Sequence, residues 1–450
     1  MNPSPLFPIR PLRCFLSALF LFLAAAAILP ADDQKPIVVV ISLDGFPAYA
    51  LDDPRLPCPT LRRIAREGTY AAAMRPINPT VTWPNHTAMV TGVDASQHFV
   101  LFNGLLERPA PDAPPVIEPW RDKDKMVHAQ TIYDVAHHAG LTTAQVDWVA
   151  IYNARNIDWK FPEDPDPSGE MERALIADGT LTVEQLQTFG HSSQVWRDEI
   201  WLDAAQKILI DHRPNLLLLH FLTLDSINHQ YAPMSEASFA AMALLDNCVK
   251  RIFDLLQRPP FAGRATLLIV SDHGFRAIDH QIHANVLLQQ NSLIHTTGGA
   301  TKADAWVIAD GGVALLFILN PARKSQLLPV LRQLYADAEG IDHVYAPEEF
   351  PKLGLPTPDH TDQSPDLLLA AKPGYAFTNE PATQLVSATH AGAHGYLNSD
   401  PDMRSIFLAW GPGIPQATRL NEISVLDVAP TIASLLHISL PAAHGHSLAH

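Results

Sequence analysis

PIVVVISLDG, residues Pro36 to Gly45, is a continuous β-branched run that stops at an acid and a glycine. A run with no polar face fits a strand buried on both sides, and Asp-Gly marks the turn that ends it. The same grammar recurs downstream. Pro214–Leu224 (PNLLLLHFLTL) ends at Asp225, Arg264–Ser271 (RATLLIVS) ends at Asp272-His273-Gly274, and Ser405–Trp410 (SIFLAW) follows His394-Gly395. A further strand is expected from Thr142 to Val149. Helix-like segments lie between these strands at Thr60–Glu67, Val195–Ile210, Ser235–Gln257 and Val425–Leu436. Buried strands alternating with amphipathic helices predict an α/β fold: a doubly wound, mostly parallel central sheet with helices on both faces. A weaker α+β stretch, about residues 296–360, interrupts the alternation and is expected to form a small cap insertion. In such sheets reactive groups collect beyond the carboxyl ends of the strands, and here four buried strands are each expected to deliver an Asp or His at that end.

Composition narrows the function. Lys plus Arg number 31 against 47 Asp plus Glu, a formal net charge of −16, which argues against a basic surface for polynucleotide backbones. Hydrophobic residues at 47% and charged residues at 17% describe a globular chain with a sizeable core. Arg10 and Arg13 precede an uncharged apolar run, Cys14–Leu29, followed by Pro30-Ala31. That order resembles a secretory signal peptide, and the run is shorter than the roughly 20 residues that span a bilayer. Residues 1–31 are therefore expected to be a cleaved leader, leaving a catalytic domain of residues 32–450 that is exported to the periplasm or secreted. The alternative is an N-terminal membrane anchor. Cys58 and Cys248 remain in the mature chain and either pair or stay as free buried thiols.

The strand-end residues are Asp44, Asp225 with His229, Asp272 with His273, and His394. Carboxylates with neutral imidazoles suit borderline divalent ions, zinc first, with manganese and iron as alternatives, and these residues suffice for two ions. Asp225 and His229 are four apart, so a helix beginning there would turn both toward one ion. Thr82, in the segment Asn78–Thr87 ahead of a helix-like stretch from His86 to Thr91, is either an N-cap or a nucleophile; a hydroxyl beside a dication at a helix N-terminus favours the nucleophile.

Five segments then carry a family resemblance: SLDGF (Ser42–Phe46), PTVTWPNHTAMVTG (Pro79–Gly92), LDSINH (Leu224–His229), SDHGF (Ser271–Phe275), and AHGY with MRSIFLAWGPG (Ala393–Gly413). The chain resembles the alkaline phosphatase superfamily and, within it, the nucleotide pyrophosphatase/phosphodiesterase family. The resemblance implies one zinc on Asp225, His229 and His394, a second on Asp44, Asp272 and His273, and Thr82 bridging toward the second as nucleophile. It implies that Asn103 hydrogen-bonds a phosphoryl oxygen and that Trp83 stacks on a base. Tyr152, with Arg155 and Trp159, is a candidate for the leaving-group pocket. The segment Asp147–Trp159 lacks the Trp-Pro-Gly of vertebrate nucleotide-cleaving members, which leaves base preference open.

The expected activity is hydrolysis of a small-molecule phosphodiester, nucleotide or phosphoanhydride through a threonine-phosphate intermediate. No clamp-like pattern of Lys or Arg surrounds Thr82 and Asn103, the nearest in sequence being Arg75 and Arg108, which favours a diester over a more highly charged monoester. The alternatives are a phosphomonoesterase or phosphonate hydrolase on the same scaffold, and a catalytically silent, metal-stabilised binding module.

Overall fold

A computed structural model of the protein describes Met1 and residues 35–450 except Gly299. The leader expected at residues 1–31 lies outside the described residues, Met1 apart. Lys35–His450 is one compact unit. Its main sheet has eight strands: β1 (Ile37–Leu43), β2 (Thr69–Arg75), β3 (Thr143–Val146), β4 (Trp159–Phe161), β5 (Leu216–Phe221), β6 (Ala265–Val270), β7 (Phe407–Trp410) and β8 (Thr418–Ser424). The spatial order is β8-β2-β7-β6-β1-β5-β3-β4. β1 pairs in parallel with β5 and β6, β5 with β3, β3 with β4, and β8 with β2. Only β7 runs antiparallel, to both β2 and β6. The sheet is therefore mostly parallel, as expected.

Because side chains alternate across a strand, an unbroken apolar run feeds two cores. Val38, Val40, Leu216, Leu218 and Leu268 join one core, with Met89, Ile132, Tyr133 and Ile432 from helices on that face. Ile37, Val39, Ile41, Leu217, Leu219 and Leu267 join the other, with Trp201, Leu202, Leu245 and Ile252 from helices Gln194–His212 and Glu236–Leu256. Helices thus cover both faces. Cys58 and Cys248 are both buried and free.

A second, antiparallel sheet of Ala305–Asp310, Val313–Ile318, Leu367–Ala371 and Ile341–Tyr345 carries helix Lys324–Ala336. It occupies most of the stretch expected as a cap, with one strand beyond residue 360. A three-stranded sheet, Tyr375–Phe377, Arg276–Ile282 and Val386–Ala393, was not foreseen. It corrects the delivery of His394, which follows Val386–Ala393 of that small sheet rather than standing at the end of a main-sheet strand. Among the described residues, no helix is long and apolar enough to cross a membrane.

Candidate active site

Asp44 is the first residue beyond β1, the strand at the centre of the sheet. Gly45 follows at φ +67°, and a Cβ there would stand 2.8 Å from the Phe275 ring and 3.3 Å from the Asp225 Cα. The left-handed turn and the close approach both require glycine. Gly45 N–H donates to Asp272 Oδ1 at 3.2 Å, tying the ends of β1 and β6 together. Gly45→Ala is expected to lower stability by roughly 2–4 kcal/mol; denaturant melts that matched the wild type would refute this.

Asp225 and His229 lie in helix Thr223–Tyr231, as their spacing predicts, with Asp225 Oδ1 3.5 Å from His229 Nε2. The N-terminus of this helix has no cap of its own. The buried carboxylate of Asp198, from helix Gln194–His212, instead accepts the N–H groups of Leu222 (3.2 Å) and Thr223 (3.0 Å). Asp272 and His273 follow β6. The glycine after them is needed for close approach rather than for a turn, since a Cβ on Gly274 would meet Asp402 O at 2.0 Å.

Three imidazoles are oriented alike. Nδ1 faces a backbone carbonyl in each: Gly392 O for His229 (3.2 Å), Gly274 O for His273 (3.1 Å) and Thr80 O for His394 (3.0 Å). Donation at Nδ1 leaves each Nε2 as a lone pair, the arrangement typical of metal-ligating histidine. The His273 and His394 rings stack with centroids 3.7 Å apart. Burial holds the His273 ring at a pKa of about 3, and burial plus the neighbouring His273 and His229 push His394 well below the ordinary value. Both rings are therefore neutral.

The carboxylates give the complementary signal. Asp44 Oδ1, Asp225 Oδ1 and Asp272 Oδ2 are buried and have no hydrogen-bond partner among the described residues. Burial first, and then the charges of Asp272 and Asp225, raise the Asp44 carboxyl well above its usual range; burial likewise raises Asp225. Orphaned, mutually repelling oxygens facing neutral nitrogens fit cations.

One set, Asp225, His229 and His394, has ligand atoms all within 4.8 Å of one another. In the second such set Asp225 again appears, with Asp44 and His273. Asp272 lies alongside, its Oδ2 3.1 Å from His273 Nε2. All six expected residues are thus brought together, and Asp225 stands between the two groups. The second group is the deeper: the Asp44, Asp272 and His273 side chains are 0% exposed, against 45% for His229.

The helix expected from His86 begins four residues earlier, at Thr82, with Val81 as N-cap and no side-chain cap hydrogen bond. Thr82 is therefore not a cap. Its hydroxyl is buried 3.4 Å from His273 Nε2. Asn85 shapes the approach, accepting Ile77 N–H and donating to Pro79 and Val81 carbonyls, so the Asn85-His86-Thr87 sequon is fully buried. Asn103 is exposed, and its Oδ1 accepts Trp83 N–H at 3.0 Å. Trp83 and Tyr152 line one cavity together with Trp120, Trp148, Gln145 and Glu163. Arg75 and Arg108 are engaged elsewhere, with Glu422 and Asp362.

Sequence reasoning missed Asp198, His220 and Asp147. His220 Nε2 lies 2.9 Å from Asp44 Oδ2, and Asp147 is a fourth acid beyond a main-sheet strand, directly after β3. The available signal was a lone histidine inside the leucine run of β5.

The type I phosphodiesterase / nucleotide pyrophosphatase family model matches residues 38–397. The mouse ectonucleotide pyrophosphatase/phosphodiesterase family member 7 is 26% identical over 433 residues, covering 93% of this chain and 88% of its own. Murine ectonucleotide pyrophosphatase/phosphodiesterase 5 superposes with a TM-score of 0.70 at 19% identity, covering 92% of this chain and 97% of that one. A second structure of that murine protein is an inactive threonine-to-alanine form in complex with AMP, with a TM-score of 0.69 at 19% identity, covering 92% and 97%. The chain belongs to the type I phosphodiesterase / nucleotide pyrophosphatase family and is a hydrolase of that type.

Proposed function

We propose that this chain is an exported two-zinc phosphodiesterase or nucleotide pyrophosphatase that cleaves diester or phosphoanhydride bonds through a Thr82-phosphate intermediate. One zinc is assigned to Asp225, His229 and His394, the other to Asp44, Asp272 and His273, with Thr82 beside the second. The observation that carries this reading is the convergence of three orphaned carboxylate oxygens and three tethered imidazoles beside one hydroxyl, that of Thr82, whose polar neighbour is the His273 ring. When bound, paired dications supply charge that favours both an attacking alkoxide and a leaving oxygen in line with it.

The chain's own residues do the rest. Thr82 Oγ attacks phosphorus; its bond to phosphorus forms as the bond to the leaving oxygen breaks, and the hydroxyl proton passes through solvent to that departing oxygen. Water then attacks, the Oγ–P bond breaks, and the hydroxyl is restored. The backbone N–H of Thr82, at the start of its helix, and the Asn103 side-chain amide serve the nonbridging oxygens. Asn103, held by Trp83 N–H through its oxygen, keeps its amide protons for that purpose. Trp83 and Tyr152 offer aromatic surface to the group flanking the phosphate. A murine neighbour's structure in complex with AMP supports a nucleotide among the candidate substrates.

A diester is the preferred substrate. Among the described residues, the hydrogen bonds and ion pairs of Thr82, Asn103 and the ligand set contain no lysine or arginine. An extra negative charge on a monoester would go unmatched. The small antiparallel sheet is read as the cap: Gly312 N–H donates to His394 O at 2.8 Å, so the insert abuts the ligand segment. Export rests on the leader-like order of Arg10 to Ala31.

A metal assay with paired substrates tests the proposal. We expect about two zinc per chain and loss of turnover on chelation, restored by zinc. A nitrophenyl diester should be cleaved at least about tenfold faster in kcat/KM than the monoester, a difference of roughly 1.4 kcal/mol. Monoester preference would move the chain to the phosphomonoesterase reading, and turnover surviving thorough chelation would end the metal mechanism.

A further inference from the structure

His220 is a fully buried polar residue in an otherwise apolar strand, LLLLHF at Leu216–Phe221. Burying an imidazole there is costly unless it is paired, and both ring nitrogens face only oxygen acceptors. Nε2 lies 2.9 Å from Asp44 Oδ2; Nδ1 lies 3.1 Å from the backbone carbonyl of Asp147 and 3.1 Å from its Oδ2. The ring thus bridges two acids end to end. Asp147 is itself fully buried, and its carboxylate has no hydrogen-bond partner among the described residues, so His220 is the group that compensates it. Asp147 is held at φ 56°, a conformation unfavourable for a residue with a Cβ. Its N–H donates to Phe161 O at 2.9 Å, which fixes it at the end of β3.

Two consequences follow from this placement. The oxygens of Asp44 are divided: Oδ2 is committed to His220, while Oδ1 is unpartnered and lies 3.4 Å from His273 Nε2. The residues directly after Asp147, Trp148 to Asn153, also line the aromatic cavity shared with Trp83.

We propose that the Asp147–His220 pair is a positioning device that presents Asp44 to the deeper divalent ion through Oδ1 alone and ties that presentation to the loop lining the substrate cavity. The proposal rests on the two-ion reading of the site. Partners one step out from metal ligands typically contribute 10- to 100-fold to metal affinity. The pair should do so for one ion and not the other.

The test uses the mature protein stripped of metal and titrated with zinc against a chromophoric chelator. The wild type should bind two ions. The double variant His220→Asn/Asp147→Asn removes both members of the pair together, and Asn tolerates positive φ at position 147. We expect it to bind the deeper ion about 10- to 100-fold more weakly, with the affinity of the Asp225/His229/His394 group changed by less than about threefold. At saturating zinc its kcat should return to within a few-fold of wild type, as suits a residue acting through Asp44. Two wild-type affinities in a folded double variant would overturn the proposal. Should the double variant not fold, Asp147→Asn alone carries the test: at least about threefold weaker binding of one ion is expected, and none refutes it. A wild type that binds fewer than two ions overturns the two-ion reading, and the proposal with it, before any variant is made.

Discussion

Thr82→Ala should abolish turnover and leave the molecule folded. The two halves of that expectation rest on separate observations. Thr82 is the first residue of its helix, yet Val81 is the N-cap and no side-chain cap hydrogen bond exists. Removing the hydroxyl therefore costs no cap, and the residual change in stability should stay within about 1 kcal/mol. The hydroxyl's polar neighbour is His273 Nε2 at 3.4 Å, so what the variant removes is the group aimed at the ligand cluster. Loss of a nucleophile from an interdependent site costs roughly 10⁴-fold or more in kcat. Thr82→Ser keeps the hydroxyl and should retain activity within about 100-fold of wild type, the loss reflecting freer rotation of an unbranched side chain. Rate measurements alongside thermal melts and zinc content would decide the matter. A folded, zinc-loaded Thr82→Ala enzyme with near-normal turnover would remove Thr82 from the chemistry and revive the silent binding module for this site.

The parts of the fold that were legible in the sequence are those in which the chain has no polar face. β1, β5 and β6 are predominantly apolar runs, broken by Ser42, His220 and Thr266, because helices bury them from both sides, and their ends are marked by the acids. Arg276–Ile282 and Val386–Ala393 read RAIDHQI and VSATHAGA, half-exposed segments with polar positions on one side. They carry little periodic signal, so the sheet that delivers His394 went unseen even though His394 itself was identified. The start of the Thr82 helix was missed for a related reason: Pro84 and the polar run around it suggest a turn, but Pro within the first turn leaves no hydrogen bond unmade.

The site was legible to the depth of groups that touch the cluster and no further. Asp44, Asp225, His229, Asp272, His273 and His394 stand where strands or helices end, which is where sequence reasoning searches. Asp198 acts from the middle of a long helix, capping the helix of Asp225 from across the core. Nothing in the local sequence of Gln194–His212 announces that partner, because its meaning depends on a neighbour some two dozen residues away. His220 is similar: a histidine in a strand reads as an isolated exception until Asp44 and Asp147 are seen at its two ends. Asp225's place between both ligand groups is likewise a property of three dimensions.

Asp225→Asn should have opposite effects on the stability of metal-loaded and metal-free protein. Asp225 contributes to both groups of converging ligand atoms, so replacing its carboxylate with a neutral amide weakens both ions at once. The loss should be at least the 10- to 100-fold seen when mere supporting partners are removed, and turnover should fall with it. Because ligand binding adds to stability by mass action, the variant should melt below wild type in excess zinc. Without metal the sign reverses. Burial raises the folded-state pKa of Asp225, with the His229 ring opposing and the charge of Asp272 adding to the rise. A carboxyl raised in the folded state is most stabilising below its unfolded value, near 4, and that stability drains away as pH climbs through the folded value. Once Asp225 ionises, the metal-free wild type therefore carries a buried repulsion with Asp272 that the amide lacks. Metal-free Asp225→Asn should melt at or above metal-free wild type, with a flatter decline as pH rises above about 4. Calorimetry of both proteins with and without zinc separates the cases: a variant less stable than wild type in both states would mean that Asp225 holds the fold rather than the ions.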